Sequence, residues 1–139
     1  LTASKIVLMD SIISNIDRTA KNTNLLSWNK ELWVIDNGAS FYFHHNWQTW
    51  ESHLTRTFPL IKDHVLLEFA KNLNEASQYI TTHLNTEKIE EIISLIPEDW
   101  LESDADAFSP NDMRAAYATY LKVKLAMIDK LVKEAEDAR

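Results

Sequence analysis

The chain has 139 residues, 45% of them hydrophobic and 25% charged, which suits one domain with a core and is too little for two ordinary ones. It carries 14 basic against 21 acidic side chains, a net charge of -7, so it lacks the basic surface on which nonspecific nucleic-acid binding depends, and no direct nucleic-acid contact is expected. The single glycine, Gly38, excludes both the G-x-G-x-x-G dinucleotide fingerprint and the G-x-x-x-x-G-K-[ST] phosphate loop, and the lack of cysteine excludes disulfides, thiolate metal sites and a cysteine nucleophile.

The longest apolar runs are four residues, as in Ile6-Val7-Leu8-Met9, against the roughly 20 that span a bilayer. No membrane association is expected, and a cytoplasmic location fits. Asp10 interrupts any signal-peptide core. The chain opens without Met inside a helical pattern, which reads as a fragment or processed piece.

Ile6, Met9, Ile12, Ile13 and Ile16 keep the spacing of one helix face, with Thr2 or Ser4 available as a cap. A polar stretch over 15–24 interrupts the pattern. Leu25 to Trp28 and Leu32 to Ile35, separated by Asn29-Lys30-Glu31, predict a β-hairpin that ends at Asp36-Asn37-Gly38. Residues 39–46 read as an ordered aromatic loop, and the chain looks helical from Trp47 onward. Asp63 is expected to cap a helix through Leu73 that turns Val65, Leu66, Phe69 and Leu73 to one face. A second helix is expected over 74–84. A third starts at Thr86, has Ile89, Ile92, Ile93 and Ile96 inward, and stops at Pro97. A turn over 98–102 and an acidic link over 103–108 follow. The last helix has the clearest start, with Ser109 as cap, Pro110 at the first position and Asp112 at the third. Its apolar stripe runs Tyr117, Tyr120, Leu121, Leu125, Ile128, Leu131, Val132.

Chemistry concentrates between Asn15 and Gly38: a polar loop with Asp-x-x-x-x-Asn, a hairpin, then Asp-x-Gly. Phosphoryl transfer gives each part a purpose. A carboxylate orients the proton of the attacking hydroxyl. Magnesium takes oxygen ligands, which an Asn amide and a second carboxylate supply. The hairpin lets residues about fourteen apart face one ion, and a Gly after the second Asp eases a sharp turn. Asp-x-x-x-x-Asn alone arises by chance, and from spacing alone a plain loop and turn stands level with a kinase-like site.

The string Asn15-x-Asp17-x-x-x-Lys21-Asn22 resembles the catalytic loop of HipA-like kinases, which carry Asn-x-Asp-x-His-x-Lys-Asn. The wider run through Asn24-Leu25-Leu26 and Leu32-Trp33-Val34-Ile35-Asp36-Asn37-Gly38-Ala39 is similar to a bacterial HipA-like subfamily. So are Phe43-His44-His45-x-Trp47, Asp63-His64-Val65-Leu66-Leu67 and Arg114-x-x-Tyr117-x-x-Tyr120-Leu121. The resemblance covers most of the chain. It implies a mainly α fold, the helical C-lobe of a protein-kinase-like fold with a short β-hairpin near the N-terminus. Residues 1–139 would form a single domain, with catalytic loop 15–24, hairpin 25–36, metal-binding loop 36–38 and a helical remainder. The implied activity moves the γ-phosphoryl group of ATP to a hydroxyl, on a protein Ser or Thr. Asp17 would be the catalytic aspartate, with Lys21 near the phosphates. Asn22 and Asp36 would hold Mg2+ beside ATP. Two departures stand out: Thr19 replaces the family's His, and Asn37 replaces the Phe of ordinary protein kinases.

The small lobe that clamps ATP would precede Leu1, so the chain alone is expected to turn over little. Its partners would be ATP, a protein hydroxyl acceptor, and the missing N-lobe or another protein. The other reading is a non-catalytic helical interaction module derived from a kinase fold. Arg18 is open to a phosphate contact or a salt bridge. His44 and His45 are expected to pack or hydrogen-bond rather than bind metal. Trp28, Trp33, Trp47, Trp50 and Trp100 are expected at or near the core, and Lys130–Glu134 and Lys133–Asp137 are expected to pair.

Overall fold

Helix α1, Thr2–Ile13, carries apolar residues on most of its circumference, and the fold uses this by wrapping other helices around it. The computed structural model describes residues 1–101 and 108–139, which are mainly helical with a two-stranded antiparallel hairpin. Helix α1 packs against α2 (Leu73–His83), α4 (Pro110–Ala126) and α5 (Ile128–Ala138). Val7, Leu8, Ile12 and Ile13 are buried, while Ile6 and Met9 are half-buried and Ile16 lies exposed beyond the helix. The buried face is thus rotated from the one the spacing predicts, because a helix apolar nearly all round leaves its neighbours to choose. Neither Thr2 nor Ser4 caps it; buried Ser4 instead accepts the Asn72 N–H at 3.0 Å.

Strands β1 (Leu25–Trp28) and β2 (Glu31–Val34) pair Leu25 with Val34 and Trp28 with Glu31. The expected three-residue connection contracts to two. Asn29 and Lys30 sit at φ 51 and 66, the left-handed pair that matches strand twist in a tight hairpin, and Glu31 joins the strand. The hairpin stands away from the core, with Leu26, Trp28, Leu32, Trp33, Val34 and Ile35 all exposed. Trp28 and Trp33 are therefore not core residues, nor is Trp100, which is 77% exposed; Trp47 and Trp50 do pack on the core.

Residues 39–72 form short 3-10 turns, Tyr42–His45, Trp47–His53, Pro59–Asp63 and Leu67–Phe69, rather than long helices. The helix expected from Asp63 does not form. His64 takes an extended backbone (φ -70, ψ 126), bridges Thr19 and sends its ring to Asp10, so the chain there is held by partners outside the helix pattern. Phe69, expected inward, is exposed.

Helix α3, Thr86–Ser94, is capped by Asn85, whose side chain accepts the Lys88 N–H at 2.9 Å. Ile89 and Ile93 are buried, whereas Ile92 faces out. A turn follows at Glu98–Leu101; position 102 and all but Phe108 of the acidic link expected over 103–108 lie outside the described residues. Helix α4 starts with the predicted signals assembled into a capping box: the Ser109 hydroxyl accepts the Asp112 N–H and the Asp112 carboxylate accepts the Ser109 N–H. The last helix is not continuous. It breaks at Met127 (φ -108, ψ 20), so α5 packs against α1 and α2. Lys133 pairs with Asp137 as expected, but Glu134 turns from Lys130 to accept the Thr57 hydroxyl at 2.7 Å and the Phe58 N–H at 2.5 Å. No helix of the described residues is long and apolar enough to cross a membrane.

The hairpin turn offers a direct test. Lys30→Gly removes the Cβ penalty of a left-handed residue, worth roughly 1 kcal/mol. Amide exchange over β1 and β2 is expected to slow several-fold without change in α1. Unchanged or faster exchange in the hairpin would contradict the turn assignment.

Candidate functional site

The site rests on a buried carboxylate. Asp10 leaves the core face of α1, and its Oδ2 accepts Arg18 Nε at 2.6 Å and His64 Nε2 at 2.9 Å. Its Oδ1 accepts Asn15 Nδ2 at 3.1 Å and Arg18 Nη2 at 3.4 Å. Burial pushes the Asp10 pKa up, but hydrogen bonds from His64, Arg18 and Asn15 outweigh it and hold the carboxyl below its ordinary value. His64 accepts the Leu66 N–H at Nδ1 (3.0 Å), so its Nε2 carries the proton donated to Asp10.

Arg18 is 1% exposed and spends its remaining N–H groups on the hairpin's base. Nη1 donates to the carbonyls of Asn24 (2.6 Å) and Ile35 (3.3 Å), and Nη2 to Asn37 Oδ1 (2.5 Å). One guanidinium thus joins α1, the polar loop, both ends of the hairpin and the Asp-x-Gly turn. It is committed to this network and not open to a phosphate. The substitution of Asn at position 37 has a clear use here, as acceptor for Arg18.

Asp17 lies between exposed Ile16 and buried Arg18 and turns the other way, toward the polar loop. Its N–H donates to Asn15 Oδ1 at 3.2 Å. Its Oδ2 accepts Asn22 Nδ2 at 2.8 Å and Asn24 Nδ2 at 3.3 Å. Asn24 Nδ2 also reaches the Asp36 carbonyl at 3.4 Å. Asp17 and Asn22 are therefore joined directly and Asn24 ties them to the Asp36 backbone, while the Asp36 carboxylate accepts the Gly38 N–H at 3.4 Å. Because Asn22 donates its amide nitrogen to Asp17, its Oδ1 remains as an acceptor. The Asp36 carboxylate and Asn22 Oδ1 are hard oxygen donors on an exposed surface, the set that magnesium takes with phosphate oxygens. Lys21 is exposed and, among the described residues, has no carboxylate within ion-pair distance.

The left-handed residue of the Asp-x-Gly turn is Asp36 (φ 49), not Gly38, whose φ is ordinary. A Cβ on Gly38 would sit 3.5 Å from Asp36 Oδ1, an ordinary contact, so Gly38 is not required by the backbone. His44 meets the Tyr117 hydroxyl at 3.3 Å through Nδ1 and stacks edge-on to His45 at 4.5 Å. Burial, then the charge of His45, lowers the His44 pKa. Among the described residues no cluster of three His, Asp or Glu side chains is placed to hold a metal.

Four residues of this region carried no role in the sequence reading: Asp10, Asn24, Asn37 and His64. Asn24 and Asn37 lie inside the motif run, where the available signal was Asn37 directly after Asp36 and Asn24 directly before the hairpin. Asp10 sits within a predicted helix and His64 within another, and nothing local marks either as a partner of Arg18.

Removing the Asp10 charge leaves a buried guanidinium without its anion, so Asp10→Asn is expected to cost about 3–5 kcal/mol at neutral pH. The folded pKa is depressed, so the stability Asp10 contributes is full above its unfolded value of about 3.9 and drains as pH falls through the folded one. Urea titrations at pH 7 and down through the acid limb would show the variant losing less stability per pH unit than the parent. An equal acid slope would show that Asp10 is not so held.

A family model described as HipA-like kinase matches residues 2–129. No curated protein and no solved structure matches the chain. The matched span runs from the start of α1 through α4 and takes in the whole Asp17–Asn22–Asp36 cluster with the Arg18 network beneath it. The chain belongs to the HipA-like kinase family, and its function is kinase-related in general terms.

Proposed function

We propose that the chain is the helical C-lobe of a HipA-like phosphotransferase, a single domain that carries the acceptor and metal half of a site moving the ATP γ-phosphoryl group to a hydroxyl of a protein Ser or Thr. The observation that supports this most is the hydrogen bond from Asn22 Nδ2 to Asp17, which leaves the Asn22 amide oxygen as an acceptor while holding the carboxylate. Asp17 would accept the hydroxyl proton as the new O–P bond forms and the bond from the γ-phosphorus to its bridging oxygen breaks, with ADP leaving. Asp36 and Asn22 Oδ1 would hold Mg2+, which neutralises charge on the phosphates when bound. Lys21, exposed on the same loop, is free to approach a phosphate.

Catalysis of this kind is mostly positioning and electrostatics, so both halves of the site are needed. With Gly38 as the chain's single glycine, these 139 residues hold no glycine-rich phosphate cover. The nucleotide half is then supplied by another segment or chain. The exposed hairpin, with Trp28 62% and Trp33 50% exposed, fits a surface that docks it. The same exposure favours the second reading, a helical interaction module that performs no chemistry.

The 139-residue chain alone is expected to show little ATP-dependent phosphorylation, and robust turnover would sink the two-part site. In a form that does turn over, Asp36→Asn is expected to lower kcat by about 10³ or more while circular dichroism and Tm stay near the parent's, since Asn tolerates the left-handed backbone at 36. Near-normal activity in that variant would leave the non-catalytic module as the better reading.

A further inference from the structure

A second concave site lies beside the catalytic loop, between the 3-10 segments and α4. The cavity holds about 370 Å3, within the range of small-molecule pockets. Ile16, Phe43, Phe58 and Leu60 give it apolar walls, and Tyr42 stands at its margin. Lys124 also lines it, although that side chain is 1% exposed. Its Nζ donates to the Arg56 carbonyl and lies 4.9 Å from the Tyr120 ring centroid. Among the described residues no carboxylate comes within ion-pair distance of it. Glu134, the acid whose charge acts on it, is committed to the Thr57 hydroxyl and the Phe58 N–H.

A buried ammonium without a counter-anion is costly, and an ammonium has three donors of which one is accounted for here. Burial lowers the Lys124 pKa to about 8, with Glu134 raising it and Arg56 lowering it. Burial, Arg56 and Lys124 also lower the pKa of His53, which lines the same cavity. The surroundings therefore disfavour positive charge and would be relieved by an anion. The Ser14 and Tyr120 hydroxyls, 2.8 Å apart, satisfy each other on the wall. Lys124 is the buried cation of the lining, with Arg56 exposed and His53 half-buried beside it, so under these apolar walls one carboxylate meets Lys124 at depth.

We propose that this cavity binds a ligand with an apolar body and a terminal carboxylate, the carboxylate meeting Lys124 and the body lying between Phe58, Leu60 and Ile16. The binding does not depend on the phosphotransfer reading. An occupant would press on Ile16, the residue before Asp17, and so bear on the catalytic loop.

The probe is 3-phenylpropionate, titrated into the 139-residue chain and followed by NMR. Saturable shifts centred on Ile16, Tyr42, Leu60 and Tyr120 are expected. The neutral 3-phenylpropionamide and the bodiless acetate should each bind at least about tenfold more weakly. Lys124→Met, which keeps the apolar stem, should lose the preference for acid over amide. Should that variant fail to fold, Leu60→Glu at the exposed rim should weaken 3-phenylpropionate about tenfold by like-charge repulsion. Equal affinity for acid and amide, shifts centred elsewhere, no saturation, or tighter binding of inorganic phosphate at the same residues would each overturn the proposal.

Discussion

A carboxylate taken out of water stays charged only if donors meet it, and Asp10 is such a carboxylate. Asn15, Arg18 and His64 supply its hydrogen bonds, and each comes from a part of the chain that has no helix or sheet to hold it there. Arg18 then has N–H groups to spare, and it can satisfy them only by drawing in the carbonyls of Asn24 and Ile35 and the side chain of Asn37. The polar loop, both hairpin ends and the Asp-x-Gly turn are thereby fixed to α1. Asp17 faces the loop because its neighbour Arg18 faces the core.

The backbone around the site is held in costly shapes. Ser14, Asn24 and Asp36 all lie in the left-handed region, at φ 53, 46 and 49. Residues other than glycine hold such angles at a cost of roughly 1–2 kcal/mol each, and keep them where surroundings leave no choice. Here the surroundings are visible: Ser14 ends α1 against Tyr120, Asn24 is gripped through its carbonyl by Arg18, and Asp36 follows a hairpin whose base Arg18 closes. The rigid base contrasts with the hairpin's outer part, where apolar side chains meet solvent. Backbone cost falls on Asn24 and Asp36 at the hairpin's base, and the apolar side chains of its outer part stay exposed.

The cluster was readable because its residues are close in sequence or joined by a recognisable hairpin. Asp17, Asn22 and Asp36 follow from spacing and resemblance, and the capping box at Ser109 follows from local chemistry alone. The supports were not readable. Asp10 and His64 are 54 positions apart, and each sits in an apolar pattern that explains it without the other. That pattern misled the reading of residues 63–73, where apolar spacing suited a helix but His64 was pulled extended by Thr19 and Asp10. Aromatic bulk likewise suggests burial, yet Trp28 and Trp33 lie on a hairpin that the described residues leave exposed. Arg18 stood undecided between phosphate and salt bridge, a choice only the partner's position could make.

In the function proposed, Asp17, Asn22 and Asp36 would form one phosphate-and-metal surface joined to the Arg18 network. Paramagnetic broadening by Mn2+, titrated into the labelled chain with ATP present, measures this most directly. Broadening centred on Asp17, Asn22 and Asp36, and sparing His44 and His45, is the expected result. Broadening centred on the histidines, or spread over the acidic surface without focus, would contradict it.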